Sequence, residues 1–419
     1  MSTILLQNGA VLHPEDGRLT PAQDVLVSAG IISQVGPSGT FQSLPADTQT
    51  IAVNGQTIMP GLIDCHVHVM ASHANLGLNA ALPSNLITIK ALPILRGMLY
   101  RGFTTVRDAG GADWAIAQAI EQGLIPGPRL FPSGRALSQT GGHGDYRARG
   151  DILLSEPCTC CIRSGAIARV VDGVDNVRLA AREEIQMGAT QIKIMASGGV
   201  SSPTDPINNT QYSEAEIRAI VAEAEAVGTY VMAHAYTAKA IKRAVAFGVR
   251  TIEHGNLVDR ATADFMHAQG AMVVPTQVTY EMLAQHGAEY GLPPESVAKI
   301  EQVRTAGLAA LRIYAQAGVP MAFGSDLLGE MHAFQAQELS IRAAVLGNAE
   351  AIRQATTVAA QVLQQVGTLG CIQVGATADI LVVNGNPLDN IDCLVGRGEG
   401  ERLSLIMQGG QLVKHAEAR

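Results

Sequence analysis

The run Asp64-Cys65-His66-Val67-His68 closes an apolar stretch that begins at Gly61. In an extended strand residues i and i+2 share a face, so the two imidazoles project to the same side. Other apolar runs end in the same way: Thr229–His234 in His234, Thr251–His254 in His254, and Pro320–Ser325 in the adjoining Asp326. Neutral imidazole with carboxylate is the donor set of zinc, and Mn2+ or Co2+ accepts the same atoms. A single H-x-H pair arises by chance, but four histidines and an aspartate at the ends of separate runs point to a metal centre.

Lys193 adds a second kind of chemistry. It stands between Ile192 and Ile194 in an apolar run, Gln191–Ala196. A charged ammonium is costly in a buried strand. It can snorkel to the rim, pair with a carboxylate, or lose its proton through desolvation. The neutral amine can add CO2 to give a carbamate, N6-carboxylysine, whose two anionic oxygens suit a bridge between cations. The set His66, His68, Lys193, His234, His254 and Asp326 is therefore read as the seat of two divalent metal ions, zinc first among the candidates, with a CO2-derived carbamate on Lys193.

Residues from five separate runs must be gathered by the fold. Eight strand candidates can be counted: Gly61–His68, Thr104–Ala109, Arg129–Ser133, Gln191–Ala196, Thr229–His234, Thr251–His254, Met272–Thr276 and Pro320–Ser325. Amphipathic helical stretches fall between most of them, at Asn85–Arg101, Ala112–Gln122, Val174–Met187, Ser213–Ala226, Thr237–Phe247, Arg260–Gln269 and Glu295–Ala317, and Ser213 with Glu216 forms a capping-box signature. This alternation predicts an α/β fold, a (β/α)8 TIM-like barrel spanning residues 59–366. Active sites on such barrels lie at the C-terminal ends of the strands, where these ionisable residues fall. Residues 1–58 and 367–419 read instead as short strands and turns, which predicts one small β-sandwich domain built from both chain ends. The long stretch Gly134–Asp172, rich in Gly, Arg and Ser, is expected to be either a functional lid or disordered.

Composition bounds the alternatives. Of 419 residues, 47% are hydrophobic and 16% charged, against about 25% charged in an average globular protein. A large core is expected, and a charge-poor surface that favours a homo-oligomer. The net charge of −8, without a Lys/Arg cluster, argues against nucleic acid as a partner. Met1–Ala10 lacks a basic segment followed by an apolar run, so no signal peptide is expected. No apolar run approaches the ~20 residues of a membrane helix, and a cytoplasmic protein is the default. Cys158, Cys160 and Cys161 form a tight group, read as bystanders rather than as a disulfide framework or metal site.

The phrases around these residues carry a family resemblance. P-G-L-I-D-x-H-x-H at 60–68 resembles the amidohydrolase superfamily. G-F-T-T-V-R-D-A-G (102–110), I-K-I-M-A-S-G-G-V-x-S-P-T-D (192–205), H-A-Y-T (234–237), I-E-H-G (252–255) and F-G-S-D (323–326) resemble its branch of Xaa-Pro dipeptidases, metallo-carboxypeptidases and ochratoxin-hydrolysing amidases. The stretch at 370–387 is similar to the flanking β-domain of that superfamily. The resemblance implies that His66, His68 and Asp326 hold one metal, that His234 and His254 hold the other, and that carboxylated Lys193 bridges them. It also implies that Tyr236 contacts the substrate.

The reaction expected is cleavage of an amide or peptide bond next to a C-terminal residue, in a dipeptide or other small molecule. Two metals ~3.5–4 Å apart can share a water and make a bridging hydroxide available near neutral pH. Asp326 is the candidate general base, passing the proton to the leaving amine. His143, in Gly141-Gly142-His143-Gly144, is placed to stabilise the oxyanion if it reaches inward from its loop. Arg135, Arg147 and Arg149 are cations available to a substrate carboxylate. The remaining histidines, His13, His73, His267, His286, His332 and His415, are expected at the surface or rim, with His332 closest in sequence to Asp326. A deaminase on the same barrel would place a Glu just after the fifth-strand histidine, where this chain has Ala235-Tyr236-Thr237. A cyclic-amide hydrolase of imidazolonepropionase type uses similar metal chemistry, and a non-catalytic barrel relative would be marked by missing ligands.

Overall fold

The computed structural model describes residues 3–147, 167–200, 205–290, 294–397 and 402–415. Arg149, Cys158, Cys160 and Cys161 lie outside them. The chain divides into two compact units: Met1–Asp64 with Arg96–Val106 and Ala333–Arg419, and Cys65–Leu95 with Arg107–His332.

The first unit carries an eight-stranded sheet to which both chain ends contribute. Ile4–His13 pairs antiparallel with Arg18–Ser28 and parallel with both Gln49–Ala52 and Thr57–Pro60. Thr57–Pro60 in turn pairs antiparallel with Ile380–Val383, where the two ends of the chain meet. Leu403–Gln408 and Gln411–His415 complete the C-terminal side. Period-two alternation sends Ile4, Leu6, Val25, Val27, Ile58, Ile380 and Val382 into one core, as the texture of the ends predicted.

In the second unit a six-stranded parallel sheet runs in the order Ala168–Val170, Ala136–Ser138, Ile192–Met195, Val231–Thr237, Thr251–Leu257 and Met272–Val274. A three-stranded sheet is formed by Leu62–Val67, Phe103–Asp108 and Arg129–Phe131. Hydrogen bonds outside regular strands link neighbouring members. Thr190 N–H donates to the Pro132 carbonyl (2.8 Å), and Ala322 N–H donates to that of Val273 (2.9 Å). Cys65 N–H donates to Phe323 O (2.8 Å) and Asp326 N–H to His66 O (2.8 Å). The segment Pro320–Asp326 therefore lies between the last strand and the first.

Two predicted strands are corrected. Pro320–Ser325 is no regular strand, and its pairing reduces to a single bridge between Met321 and Val273. Gly324 permits a close approach here, since a Cβ would come within 2.9 Å of His66 Cβ and 2.6 Å of a Val274 methyl. Arg129–Ser133 stops at Phe131, before Pro132, which has no N–H to give a ladder. The chain resumes as Ala136–Ser138.

The predicted helices appear as Ser84–Tyr100, Trp114–Glu121, Val174–Gln186, Glu214–Ala226, Ala238–Ala246, Arg260–Ala268 and Pro294–Ala317. At Ser213 the capping box closes: Oγ accepts the Glu216 N–H (3.3 Å) and Glu216 Oε2 accepts the Ser213 N–H (2.8 Å). Gln277–His286 is a helix the sequence pattern did not predict. Among the described residues no helix is long and apolar enough to cross a membrane.

Candidate metal centre and active site

His66 is set by the buried strand Leu62–Val67, with His68 just beyond its end. His234 stands within Val231–Thr237 and His254 within Thr251–Leu257. Lys193 lies in Ile192–Met195, in register with Met232 of the neighbouring strand. Two of these positions have left-handed backbones, His254 at φ +70° and Asp326 at φ +52°. Such conformations are rare outside glycine and collect at functional sites. Gly255 continues the turn at φ +65°, and a Cβ there would strike the Tyr314 hydroxyl, which donates to the Gly255 carbonyl.

One tight cluster results. His66 Nε2 lies 3.4 Å and His68 Nε2 3.3 Å from the same oxygen, Asp326 Oδ1. Ligand atoms of these three residues all fall within 4.8 Å of one another, a candidate metal-binding triad. His254 approaches Asp326 Oδ2 through Nδ1 at 3.8 Å. The rings then run on in contact, with centroids 4.9 Å apart for His66–His254 and 4.7 Å for His234–His254.

Whether these residues fit a cation is decided by their second partners. The other nitrogen of His66, Nδ1, lies 2.7 Å from Glu253 Oε2. Glu253 is ionised: burial works to raise its pKa, but Arg107 and His66 outweigh burial and bring it down to about 2. An ionised carboxylate can only accept, so Nδ1 carries the proton and Nε2 the lone pair. His68 Nδ1 faces the Gly110 carbonyl at 3.1 Å, with the same consequence. His234 Nε2 faces the Gly198 carbonyl at 3.2 Å, leaving Nδ1 with the lone pair. His254 Nδ1 is committed to Thr276 Oγ1 at 2.8 Å, leaving Nε2. Each histidine thus has one nitrogen held by the protein and one available to a ligand, the arrangement of metal-binding imidazoles. Two Nε2 lone pairs facing a carboxylate oxygen at 3.3–3.4 Å repel one another unless a cation or protons intervene. The donor set fits a divalent metal.

The charges show the same demand. Burial works to lower His68, but the hydrogen bond and charge of Asp326, aided by Asp108, leave its pKa raised. Burial pushes up the Asp326 carboxyl, yet the surrounding imidazoles hold it well below the usual range. Burial pushes His234 and His254 well below ordinary histidine, at His254 against the opposing pull of Asp326. Burial lowers Lys193 to about 8, against the pull of Glu253, Asp326 and Asp108.

His143 is buried, and its ring stacks on His234 at 4.3 Å. Its backbone N–H donates to Gln211 Oε1 (3.0 Å), Gln211 Nε2 donates to Asp205 Oδ2 (3.0 Å), and that oxygen lies 3.8 Å from His143 Nδ1. Gly199 makes room for it, since a Cβ there would fall 2.1 Å from His143 Cε1. Tyr236 packs its ring against His254 (5.3 Å) and His234 (4.8 Å).

Other expected residues are placed differently. Arg147 is paired with Asp145 at 2.7 Å, and Arg135 lies 3.4 Å from Glu184, so internal carboxylates already engage both cations. His332 is buried rather than at the rim, because its Nε2 meets the Ala71 carbonyl at 3.1 Å. The sequence reading passed over Glu253, Arg107, Thr276 and Tyr280. Glu253 and Arg107 carried the signal that exposed Lys193, an ionisable residue inside an apolar run. Arg107 gives two 3.0 Å hydrogen bonds to Glu253 and others to Cys65 O, Tyr230 and Thr251.

Comparison with known proteins agrees with this geometry. A model of the amidohydrolase family matches residues 57–413. Ochratoxinase of Aspergillus niger is 32% identical over 418 residues, covering 96% of this chain and 85% of that protein. The crystal structure of a prolidase complexed with N-methylphosphonate-L-proline superposes with a TM-score of 0.95 at 63% identity, covering 99% of this chain and 100% of that one. A Xaa-Pro dipeptidase with methionine bound in its active site gives a TM-score of 0.86 at 28% identity over 99% and 100% of the two chains. The chain belongs to the amidohydrolase family.

Proposed function

We propose that this chain is a two-metal hydrolase that cleaves the amide bond to a C-terminal residue, as a Xaa-Pro dipeptidase or carboxypeptidase. The observation that carries the reading is the tautomer pattern: four histidines, each with one nitrogen engaged by the protein, leave four lone pairs beside Asp326 and Lys193. The similarity to the prolidase seen with a proline derivative bound supports proline as the residue released. The ochratoxinase relative makes a larger C-terminal residue the alternative.

His66, His68 and Asp326 would hold one divalent ion, His234 and His254 the other, with Lys193 between them and zinc the first candidate. When bound, such ions supply an acidified water and polarise the scissile carbonyl. The remaining work falls to the chain. Lys193, at a pKa of about 8, has a substantial neutral fraction near neutral pH. Its nitrogen lone pair can bond to the carbon of CO2 as the π pair of one C=O moves onto oxygen and one proton passes from the nitrogen to solvent water, giving the carbamate. Asp326 is ionised and suited to take the proton of the attacking water and deliver it to the leaving amine nitrogen. His143 stacks beside His234 and can donate to the developing oxyanion, its ring steered by Asp205.

A panel of Xaa-Pro, Xaa-Arg, Xaa-Lys and Xaa-Phe dipeptides with ochratoxin A tests the reading. Release of the C-terminal residue, fastest from Xaa-Pro, is expected. If no member of the panel loses its C-terminal residue, the peptidase assignment fails even with the metals bound.

A further inference from the structure

Tyr236 does not stand alone. Its hydroxyl lies 2.9 Å from that of Tyr280, on the helix Gln277–His286, and both side chains are buried. Thr276, which opens that helix, places its Oγ1 2.8 Å from His254 Nδ1. The start of one helix therefore supports both His254 and the tyrosine packed over His234 and His254.

Each hydroxyl has a single hydrogen to give. When Tyr280 donates to Tyr236, the hydrogen of Tyr236 is left over for a substrate oxygen. Hydrogen bonds aligned in this sense polarise one another, which makes the terminal hydroxyl a better donor.

We infer that Tyr280 is a positioning residue that donates to the Tyr236 hydroxyl and orients it as a donor to the substrate's carbonyl or carboxylate oxygen. This rests on the proposed hydrolase reading. It assigns Tyr280, which the family motifs do not contain, a part in the reaction.

The test is a double-mutant cycle of Tyr280→Phe and Tyr236→Phe in the metal-loaded enzyme, with metal content and steady-state kinetics measured for each. Tyr280→Phe should lower kcat about 10-fold, the worth of roughly one neutral hydrogen bond, with metal content unchanged. The double variant should be no slower than Tyr236→Phe alone, because Tyr280 acts only through Tyr236. Independent, multiplicative losses would overturn the inference. A second readout needs no turnover. With the eight tyrosines labelled with 13C at Cζ, the Tyr236 signal is identified by its loss in Tyr236→Phe, and Tyr280→Phe should shift it. An unmoved signal sinks the relay even if the enzyme is active. A shifted signal in a protein that cleaves no amide supports the relay and fails the hydrolase reading instead.

Discussion

Around His66 and His68 the supporting partners can play only one part. Glu253 is a fully buried carboxylate locked by Arg107 and by Thr251, whose hydroxyl donates at 2.8 Å, and Gly110 offers a carbonyl. Asp108 shapes the turn that presents this carbonyl by accepting the N–H groups of Val69, Gly110 and Ala112. Around His234 and His254 the partners are neutral: the Gly198 carbonyl, the Thr276 hydroxyl, a stacked His143 and a pair of tyrosines. The titration directions follow, with His68 raised and His234 and His254 well below ordinary histidine. One side is pre-set by charge to hold a cation. The other is a neutral, aromatic wall, better suited to meet a substrate and to adjust its hydrogen bonds as the reaction proceeds.

The largest break in this contrast comes from removing the charge that both sides share. Asp326→Asn keeps the shape of the side chain but cannot take up a proton. A loss of about 10²–10⁴ in kcat is expected, the usual contribution of a positioned general base. Steady-state kinetics beside metal analysis check it. A fully metal-loaded Asp326→Asn enzyme within a few-fold of the parent would remove Asp326 from the base role.

In the proposed site Lys193 links the two sides. Lys193→Ala should cost the second metal and most activity, with partial rescue by added short carboxylates; full activity would exclude a bridging role. In the metal-free protein, CO2 uptake should quicken with rising pH and level off above about 8, since only the amine form reacts and burial has lowered its pKa to about 8. Uptake that still climbed steeply beyond pH 10 would mean a lysine with an ordinary pKa.

The physics of the charged side is also what made it readable. An apolar strand that ends in histidine, or carries a lysine between isoleucines, breaks the burial rule, and Lys193 was found that way. Glu253 and Arg107 break the same rule, but their role is to hold His66 rather than a ligand, and spacing along the chain does not show which buried charges face each other. The neutral side left less trace. Thr276 and Tyr280 violate no pattern, and the helix carrying Tyr280 begins directly after a strand and Pro275, with no gap to announce it. The eighth barrel position was legible as Pro320–Ser325 through its apolar run, although the segment forms a single bridge, Met321 with Val273, rather than a regular ladder. Arg135 in the long loop showed the opposite failure, because its partner Glu184 is brought to it by the fold, whereas Asp145, the partner of Arg147, stands only two residues away in sequence.

A smaller effect separates orientation from ligation on the charged side. Glu253→Gln removes the ionic support of His66 and should weaken metal binding by about 10–100-fold, as loss of a carboxylate behind a metal-binding histidine does. It also leaves Arg107 buried without its counter-charge, at a cost of about 3–5 kcal/mol in stability. Chelator competition well below the melting temperature distinguishes the two consequences. Unchanged metal affinity with lowered stability would reduce Glu253 to a structural ion pair.

The neutral side should yield least. Thr276→Val preserves the shape of the side chain and deletes only the hydroxyl that receives His254 Nδ1. A single neutral hydrogen bond contributes about 0.5–1.5 kcal/mol, so a loss of roughly 2–10-fold in metal affinity is expected. Thr276→Ser, which keeps the hydroxyl, should recover it. The same chelator competition reads both variants against Glu253→Gln. If Thr276→Val were as damaging as Glu253→Gln, the two sides would be held equally tightly, and the contrast between a charged seat and a neutral wall would fall. If Thr276→Ser failed to recover the loss, the threonine would act through its methyl group, packing against the ring rather than orienting it.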